Sequence, residues 1–286
     1  MKANLSFTDI ADFPDPNSAP SSSMFVKELR AMIDLGGVPY NLLKGIAFKS
    51  KKIVNVKKPP IILLPGFASD ERYLKPLQFH LRSLGYTAEG WGLGFNMAGT
   101  NLPHTLEQLA PSWDVEYYDG YTPETYRGEG GVPYLCDRAT DQILARSKEI
   151  GEPVVLIGWS LGGYVAREVA RELPAHVAKV ITLGAPVIGG PKYTRAASFF
   201  KKKGFDMEWI ESEVEKRNRK PITQPITAIF SKTDAVVDWR AALDKVSPNV
   251  AHIQIDAAHL GMGFNANIWK LIELSLEKFQ VDQSAT

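Results

Sequence analysis

A serine lies at the centre of a G-x-S-x-G motif, between an apolar run and a helical pattern. Residues 154–157 predict a buried parallel strand, the motif follows at residues 158–162, and residues 164–173 predict a helix. The nucleophile-elbow motif requires this strand, turn and helix, because the serine Oγ must be exposed on a strained turn. The flanking glycines leave room for neighbouring backbone. We therefore expect Ser160 to be the nucleophile of an acyl-transfer reaction.

An acid and a histidine follow the serine in the order that such chemistry uses. Asp234 comes directly after a strand predicted at residues 226–231, and His259 comes after a strand predicted at residues 250–255. Open parallel sheets place functional groups at the carboxyl ends of their strands. The chain order of serine, acid and histidine is that of the hydrolase triad. We expect Asp234 to orient His259, and His259 to act as the base for Ser160.

Other assignments are open at this stage for two of the three residues. Asp234 could instead be a turn or capping residue, and His259 could be a surface-loop histidine. Asp238 is the second choice for the acid because it lies only four residues further on, and Asp256 is a weaker choice. Of the histidines, only His259 has both the required order and the position after a strand.

An acyl-transfer site also needs N–H donors for the oxyanion of the tetrahedral intermediate. The residue after the nucleophile supplies one, so we expect the N–H of Leu161 to serve. The loop after residue 64 should supply the other, and there the N–H of Phe67 is the candidate. Gly66 fits close approach of this backbone to a substrate, although Pro65 and Gly66 could also form only a turn.

Strands and helices alternate along the chain, which predicts an α/β fold with a mostly parallel central sheet and helices on both faces. The predicted strands are 53–56, 61–64, 87–91, 154–157, 180–183, 226–231 and 250–255. The predicted helices include 24–33, closed by Gly36 and Gly37, then 73–84 and 268–279. We expect residues 1–58 to form an N-terminal arm, a helix and early strands, and residues 59–286 to form the core.

Two segments interrupt this alternation and are interpreted as insertions over the serine edge of the sheet. Residues 186–225 are expected to form a lid, whose apolar face would cover an acyl pocket. The pocket residues predicted on this basis are Trp159, Phe199, Phe200 and Trp209. A helix that only packs against the core is the alternative. Residues 98–134 are rich in proline and tyrosine and suit a pocket wall or a subunit contact equally.

The composition limits the function classes. The 286 residues carry a net charge of +1, so no overall field favours nucleic acid. The single cysteine, Cys136, excludes an intrachain disulfide and a cysteine-based zinc site. Glycines at 90, 92 and 94 do not continue as a dinucleotide motif, since position 97 is Met97. The lysines at 201–203 suit a solvated helix face, or attraction to a lipid surface as the alternative.

We find no apolar run of signal-peptide or transmembrane length, so we expect a cytoplasmic protein without stable membrane insertion. The expected partner is a small-molecule ester, no nucleic acid partner is expected, and neither a cofactor nor a metal is implied.

The chain resembles the α/β-hydrolase superfamily of esterases and lipases. The resemblance is carried by LLPGF at 63–67, GWSLGG at 158–163, TLGAP at 182–186, SKTD at 231–234 and HLGMG at 259–263. The stretch GWGLGFN at 90–96 is similar to one in bacterial lipase-like hydrolases. Two features depart from the pattern: Pro65 stands where many members have histidine, and the 98–134 segment has no familiar counterpart.

The resemblance implies an α/β-hydrolase fold with an inserted lid and hydrolysis of carboxylic esters through an acyl-enzyme. The same serine, acid and histidine triad also occurs in acyltransferases, thioesterases and amidases, and those activities are alternatives. A non-catalytic ligand-binding protein on this fold is an alternative from another class.

Overall fold

The computed structural model describes residues 14–47, 57–102 and 131–284. The strand predicted at 53–56 lies outside these residues, as do residues 103–130 of the tyrosine-rich segment. Of the tyrosines in that segment, Tyr134 is described and is buried in a helix.

Six parallel strands form the central sheet, in the order β2-β1-β3-β4-β5-β6. The strands are β1 Ile61–Leu64, β2 Ala88–Gly90, β3 Val154–Trp159, β4 Val177–Leu183, β5 Ile226–Phe230 and β6 Val250–Gln254. Every residue of β1, β3 and β5 is buried, which is the pattern of strands covered on both faces. The predicted α/β fold is thereby confirmed.

Helices cover both faces of this sheet. They are α1 Arg30–Ala47, α2 Lys75–Ser83, α3 Gly131–Ile150, α4 Leu161–Glu172, α5 Ala197–Lys202, α6 Met207–Asn218 and α7 Ala266–Ser284. Side chains of α2 and α7 form the core on one face, and side chains of α3 and α4 form the core on the other. Cys136 lies in this second core, where burial raises the pKa of its thiol.

The N-terminal helix is longer than the sequence predicts. A 3-10 helix at Ser22–Leu29 continues directly into α1, which runs through Gly36 and Gly37 instead of ending there. The prediction of a helix end at these glycines is therefore wrong. The physical reason is tertiary packing: α1 lies against α2, α7 and the short 3-10 helix at His259–Gly261.

The 186–225 segment contains α5 and α6. Arg217 of α6 pairs with Glu168 and Glu172 of α4, so α6 is fixed to the helix that follows the serine. The three lysines at 201–203 are exposed. Across the described ranges, no helix combines the length and the apolar character needed to cross a membrane.

Candidate active site

Ser160 sits on a sharp turn between β3 and α4. Its backbone has φ 55° and ψ −126°, a left-handed conformation that a non-glycine residue adopts only under strain. Gly162 has no space for a side chain, since a Cβ there would collide with the carbonyls of Leu64 and Pro65. The turn therefore depends on the residue types of the motif itself, and it leaves the Ser160 side chain half-buried.

His259 and Asp234 form a buried pair. The distance from His259 Nδ1 to Asp234 Oδ2 is 2.7 Å, and each side chain is 2% exposed. The other carboxylate oxygen, Oδ1, accepts the backbone N–H groups of Val236 and Val237. Asp234 therefore acts as a turn residue and as the histidine's partner at once.

The two other candidate acids are engaged elsewhere. Asp238 accepts the N–H of Arg240 at the start of a short 3-10 helix and pairs with the Arg240 guanidinium. Asp256 is exposed and pairs with Arg30. The geometry therefore favours Asp234 over both as the partner of His259.

Ser160 and His259 share the wall of one cavity of about 340 Å³. Phe67, Leu161 and Trp159 line it as well, so the structure brings the predicted triad and oxyanion residues to one place. The volume lies at the lower end of the range for small-molecule sites. Most of the remaining wall is apolar, which suits an aliphatic or aromatic group of a small substrate.

Of the predicted lid aromatics, two line the cavity and one does not. Phe200 and Trp209 are part of the wall, together with Phe205 and Ile210 of the same segment. Phe199 lies outside the wall: it is 38% exposed, with its ring packed against Phe67 and Phe200. The sequence could not separate Phe199 from Phe200, because adjacent helical residues point in different directions and only the docking of the helix decides which of them faces the cavity.

The loop that carries Phe67 is organised by Asn96. Its side-chain Nδ2 donates to the Pro65 carbonyl at 2.8 Å, and its backbone exchanges hydrogen bonds with Ala68 and Ser69. Gly66 is needed here because a Cβ would collide with the Trp159 ring. Leu161 begins α4, and the first N–H groups of a helix have no acceptor within the helix.

The segment that carries His259 is held by side chains from distant parts of the chain. Trp159 Nε1 donates to the His259 carbonyl at 3.1 Å, and the Trp159 ring stacks on Tyr73 at 3.8 Å. The Tyr73 hydroxyl donates to the Leu260 carbonyl and accepts the Gly263 N–H. Burial raises the pKa of Tyr73, so the phenol stays protonated and able to donate.

A buried glutamate completes this support. Glu28 of the N-terminal 3-10 helix is 4% exposed and accepts the N–H groups of His259, Leu260 and Ala235. Sequence reasoning missed Glu28, Tyr73 and Asn96 as site residues. Of these three, only Asn96 belongs to a motif noted in the sequence, since it ends the GWGLGFN stretch. Glu28 and Tyr73 lie in no such motif.

Chemically, the arrangement offers a hydroxyl, an oriented imidazole and backbone N–H donors around an apolar cavity. Within residues 14–47, 57–102 and 131–284, no group of three or more His, Cys, Asp and Glu side chains is placed to hold a metal ion.

A family model described as the alpha/beta hydrolase family matches residues 61–271. The match runs from β1 into α7 and includes all the triad candidates.

Two relatives are similar over part of the chain. Pheophytinase from the chloroplast of Arabidopsis thaliana is 32% identical over 135 residues, which are 45% of this chain and 27% of that protein. Pimeloyl-[acyl-carrier protein] methyl ester esterase from Vibrio campbellii is 32% identical over 108 residues, 36% of each chain. The chain thus matches about a third of the length of these relatives.

Solved structures with low sequence identity share the fold. Naproxen esterase from Bacillus subtilis superposes with a TM-score of 0.51 at 13% identity, covering 76% of this chain and 84% of that one. A monoacylglycerol lipase from Paleococcus ferrophilus gives 0.50 at 14% identity, covering 78% and 96%.

Proposed function

Because the chain belongs to the alpha/beta hydrolase family, we propose that it hydrolyses carboxylic esters through an acyl-enzyme formed on Ser160. One observation carries this proposal: Ser160 and His259 line the same apolar cavity, and Asp234 is hydrogen-bonded to His259. The esterase relatives and the lipase and esterase folds are consistent with it.

In this reaction, Ser160 Oγ attacks the ester carbonyl and His259 accepts the serine proton. Since His259 Nδ1 is bonded to Asp234, the nitrogen available to the serine is Nε2. Asp234 holds the imidazole in that tautomer and stabilises the imidazolium that forms. His259 then gives the proton to the leaving alcohol, and a water repeats the sequence to release the acid.

The N–H groups of Leu161 and Phe67 bind the oxyanion of both tetrahedral intermediates. The start of α4 adds a favourable dipole for this negative charge. The 186–225 segment acts as a lid, with Phe200 and Trp209 contacting the acyl group. The apolar wall therefore selects esters whose acyl part is aliphatic or aromatic rather than charged.

The experiment is steady-state and stopped-flow hydrolysis of p-nitrophenyl esters graded from acetate upward in acyl length. We expect a burst of p-nitrophenol equal to the enzyme concentration wherever deacylation is slower than acylation. Mass spectrometry of the quenched reaction should find the acyl group on the peptide that contains Ser160.

The control is Ser160→Ala, which removes the nucleophile and retains the helix start. An acyl adduct on another residue, or turnover that survives in Ser160→Ala, would contradict the proposal. Binding of the ester to the wild-type protein without any turnover would instead favour a ligand-binding protein on this fold.

A further inference from the structure

We propose that Glu28, in the N-terminal segment before the matched family region, is a positioning residue of the active site. The inference rests on the proposed function, because it assigns Glu28 the task of holding Asp234 and His259 in register.

The triad acid and the histidine lie on separate loops. Asp234 follows β5 and His259 follows β6, so the strands alone do not set the 2.7 Å distance between the two side chains. A shift of either loop would move the imidazole relative to Ser160. Hydrogen bonds from Thr233 to Asp256 and from Ala257 to Ser231 join the two loops before these residues, and a contact at Asp234 and His259 themselves would fix the pair at one separation.

Glu28 contacts both loops with a single carboxylate. Oε1 accepts the N–H of Ala235, the residue after the acid, and the N–H of His259 itself, each at 3.1 Å. Oε2 accepts the N–H of Leu260 at 2.8 Å. A carboxylate is acceptor-only when ionised, and it has enough lone pairs for all three donors.

The burial of Glu28 makes these contacts costly to lose. Its side chain is among the buried charged groups, and the N–H groups of Ala235 and His259 are buried with it. Buried N–H groups without an acceptor are destabilising, so without Glu28 the two loops would rearrange until their donors were satisfied.

The part of the segment around Glu28 is docked largely by polar contacts. Val26, Leu29, Met32 and Ile33 are each two-thirds or more exposed. Arg30 instead pairs with Asp256, and Asp34 accepts from Asn265, so two further side chains reach the stretch around His259. Gly261 lies directly against Asp34 and Ala31, where a Cβ would not fit. These contacts place the segment against the histidine loop.

The test compares Glu28→Ala, Glu28→Gln and Glu273→Ala. Glu273 is the matched control, a buried glutamate in α7 that pairs with Lys270. We expect Glu28→Ala to lower kcat for p-nitrophenyl acetate on the order of 10²-fold with KM unchanged, because misplacement of a reacting group costs that much. Glu28→Gln keeps one acceptor oxygen and should recover part of the rate. Glu273→Ala should lower Tm without lowering kcat.

Hydrogen exchange supplies a readout that does not need activity. In Glu28→Ala and Glu28→Gln, the amides of residues 235, 259 and 260 should exchange faster, while those of β3 keep their protection. Unchanged exchange at these amides, or a kcat loss no larger than that of Glu273→Ala, would overturn the proposal. If wild-type protein turned over no ester but the amides still responded, the ester-hydrolase function would fail and the joining of the loops would stand.

Discussion

The two halves of the candidate active site are built in different ways. On the serine side, the turn between β3 and α4 is shaped largely by adjacent residues, since a Cβ at Gly158 would collide with Gly162 and Ser160 takes the strained conformation. On the histidine side, the loops are held by Glu28, Tyr73 and Trp159, which come from distant parts of the chain. One half is local in sequence and the other is assembled by the tertiary fold.

The two halves should therefore respond differently to substitutions elsewhere in the protein. A local turn survives changes elsewhere in the protein because its geometry follows from its own backbone. A loop held by distant side chains loses its geometry whenever one of those contacts is removed, even if the rest of the fold is intact. The predictions below test each half in turn.

The largest effect should come from Ser160→Ala. Loss of the nucleophile in a comparable triad costs on the order of 10⁶ in kcat. The melting temperature should not fall, because the substitution removes only a half-buried hydroxyl. Steady-state kinetics and calorimetry check this prediction. Retention of more than a small fraction of the rate would exclude Ser160 from the mechanism.

Asp234→Asn should have the next largest effect, a loss on the order of 10⁴ in kcat through the wrong imidazole tautomer. Asp238→Asn is the matched control, because Asp238 bonds to Arg240 rather than to His259. Kinetics of the two variants should therefore differ widely. A greater loss in Asp238→Asn would mean that the acid has been assigned to the wrong carboxylate.

A third substitution tests whether the serine side also depends on distant contacts. Arg167 of α4 forms a buried ion pair with Asp244, and Asp244→Asn should cost about 3–5 kcal/mol of unfolding free energy. The folded variant should keep the kcat of the wild type, since the turn at Ser160 is local. Urea unfolding and kinetics measure the two quantities. A large loss of kcat in folded protein would break the distinction between the two halves.

The same pair predicts a dependence of stability on acid. Burial opposes ionisation of Asp244, but Arg167 and the Ser247 N–H outweigh it and hold the pKa of this carboxyl below its usual value. The folded state therefore favours the ionised form, and this stabilisation is present above about pH 4 and is lost as the pH falls further. Urea unfolding should show a smaller acid-induced loss in Asp244→Asn than in the wild type. Equal losses of stability in the variant and the wild type would mean that the Arg167–Asp244 pair does not cause the acid dependence.

The smallest effect concerns the cavity wall. Phe200→Ala and Trp209→Ala should each change the ratio of kcat/KM between short and long acyl esters. Each lost contact corresponds to about 1–3 kcal/mol of transition-state free energy that distinguishes the two esters. Phe199→Ala is the control, since Phe199 lies outside the wall. If Phe199→Ala shifted the ratio as much as the other two, the acyl group would bind outside this cavity.

The sequence predicts the fold, and with it the strand, turn and helix around Ser160. Strands β1 to β6 lie close to the predicted runs, and β1, β3 and β5 are mostly apolar, as strands buried on both faces usually are. The predicted helix end at Gly36 and Gly37 is wrong because the packing of α1 overrides the weak local preference of glycine for a helix end. Glu28 and Tyr73 could not be found in this way: each acts through neighbours about 190 or more positions away, and no local pattern marks such a contact.

The attachment of α6 to α4 has a consequence for how molecules reach and leave the cavity. Moving α6 would break the contacts of Arg217 with Glu168, which is buried, and with Glu172, which is partly exposed, and leaving the buried Glu168 without this partner would be costly. The neighbouring α5 is held against Phe67 by the rings of Phe199 and Phe200, and aromatic pairs contribute only about 0.5–1.5 kcal/mol beyond burial. We therefore expect substrate and product to pass more easily on the α5 side of the cavity than on the α6 side.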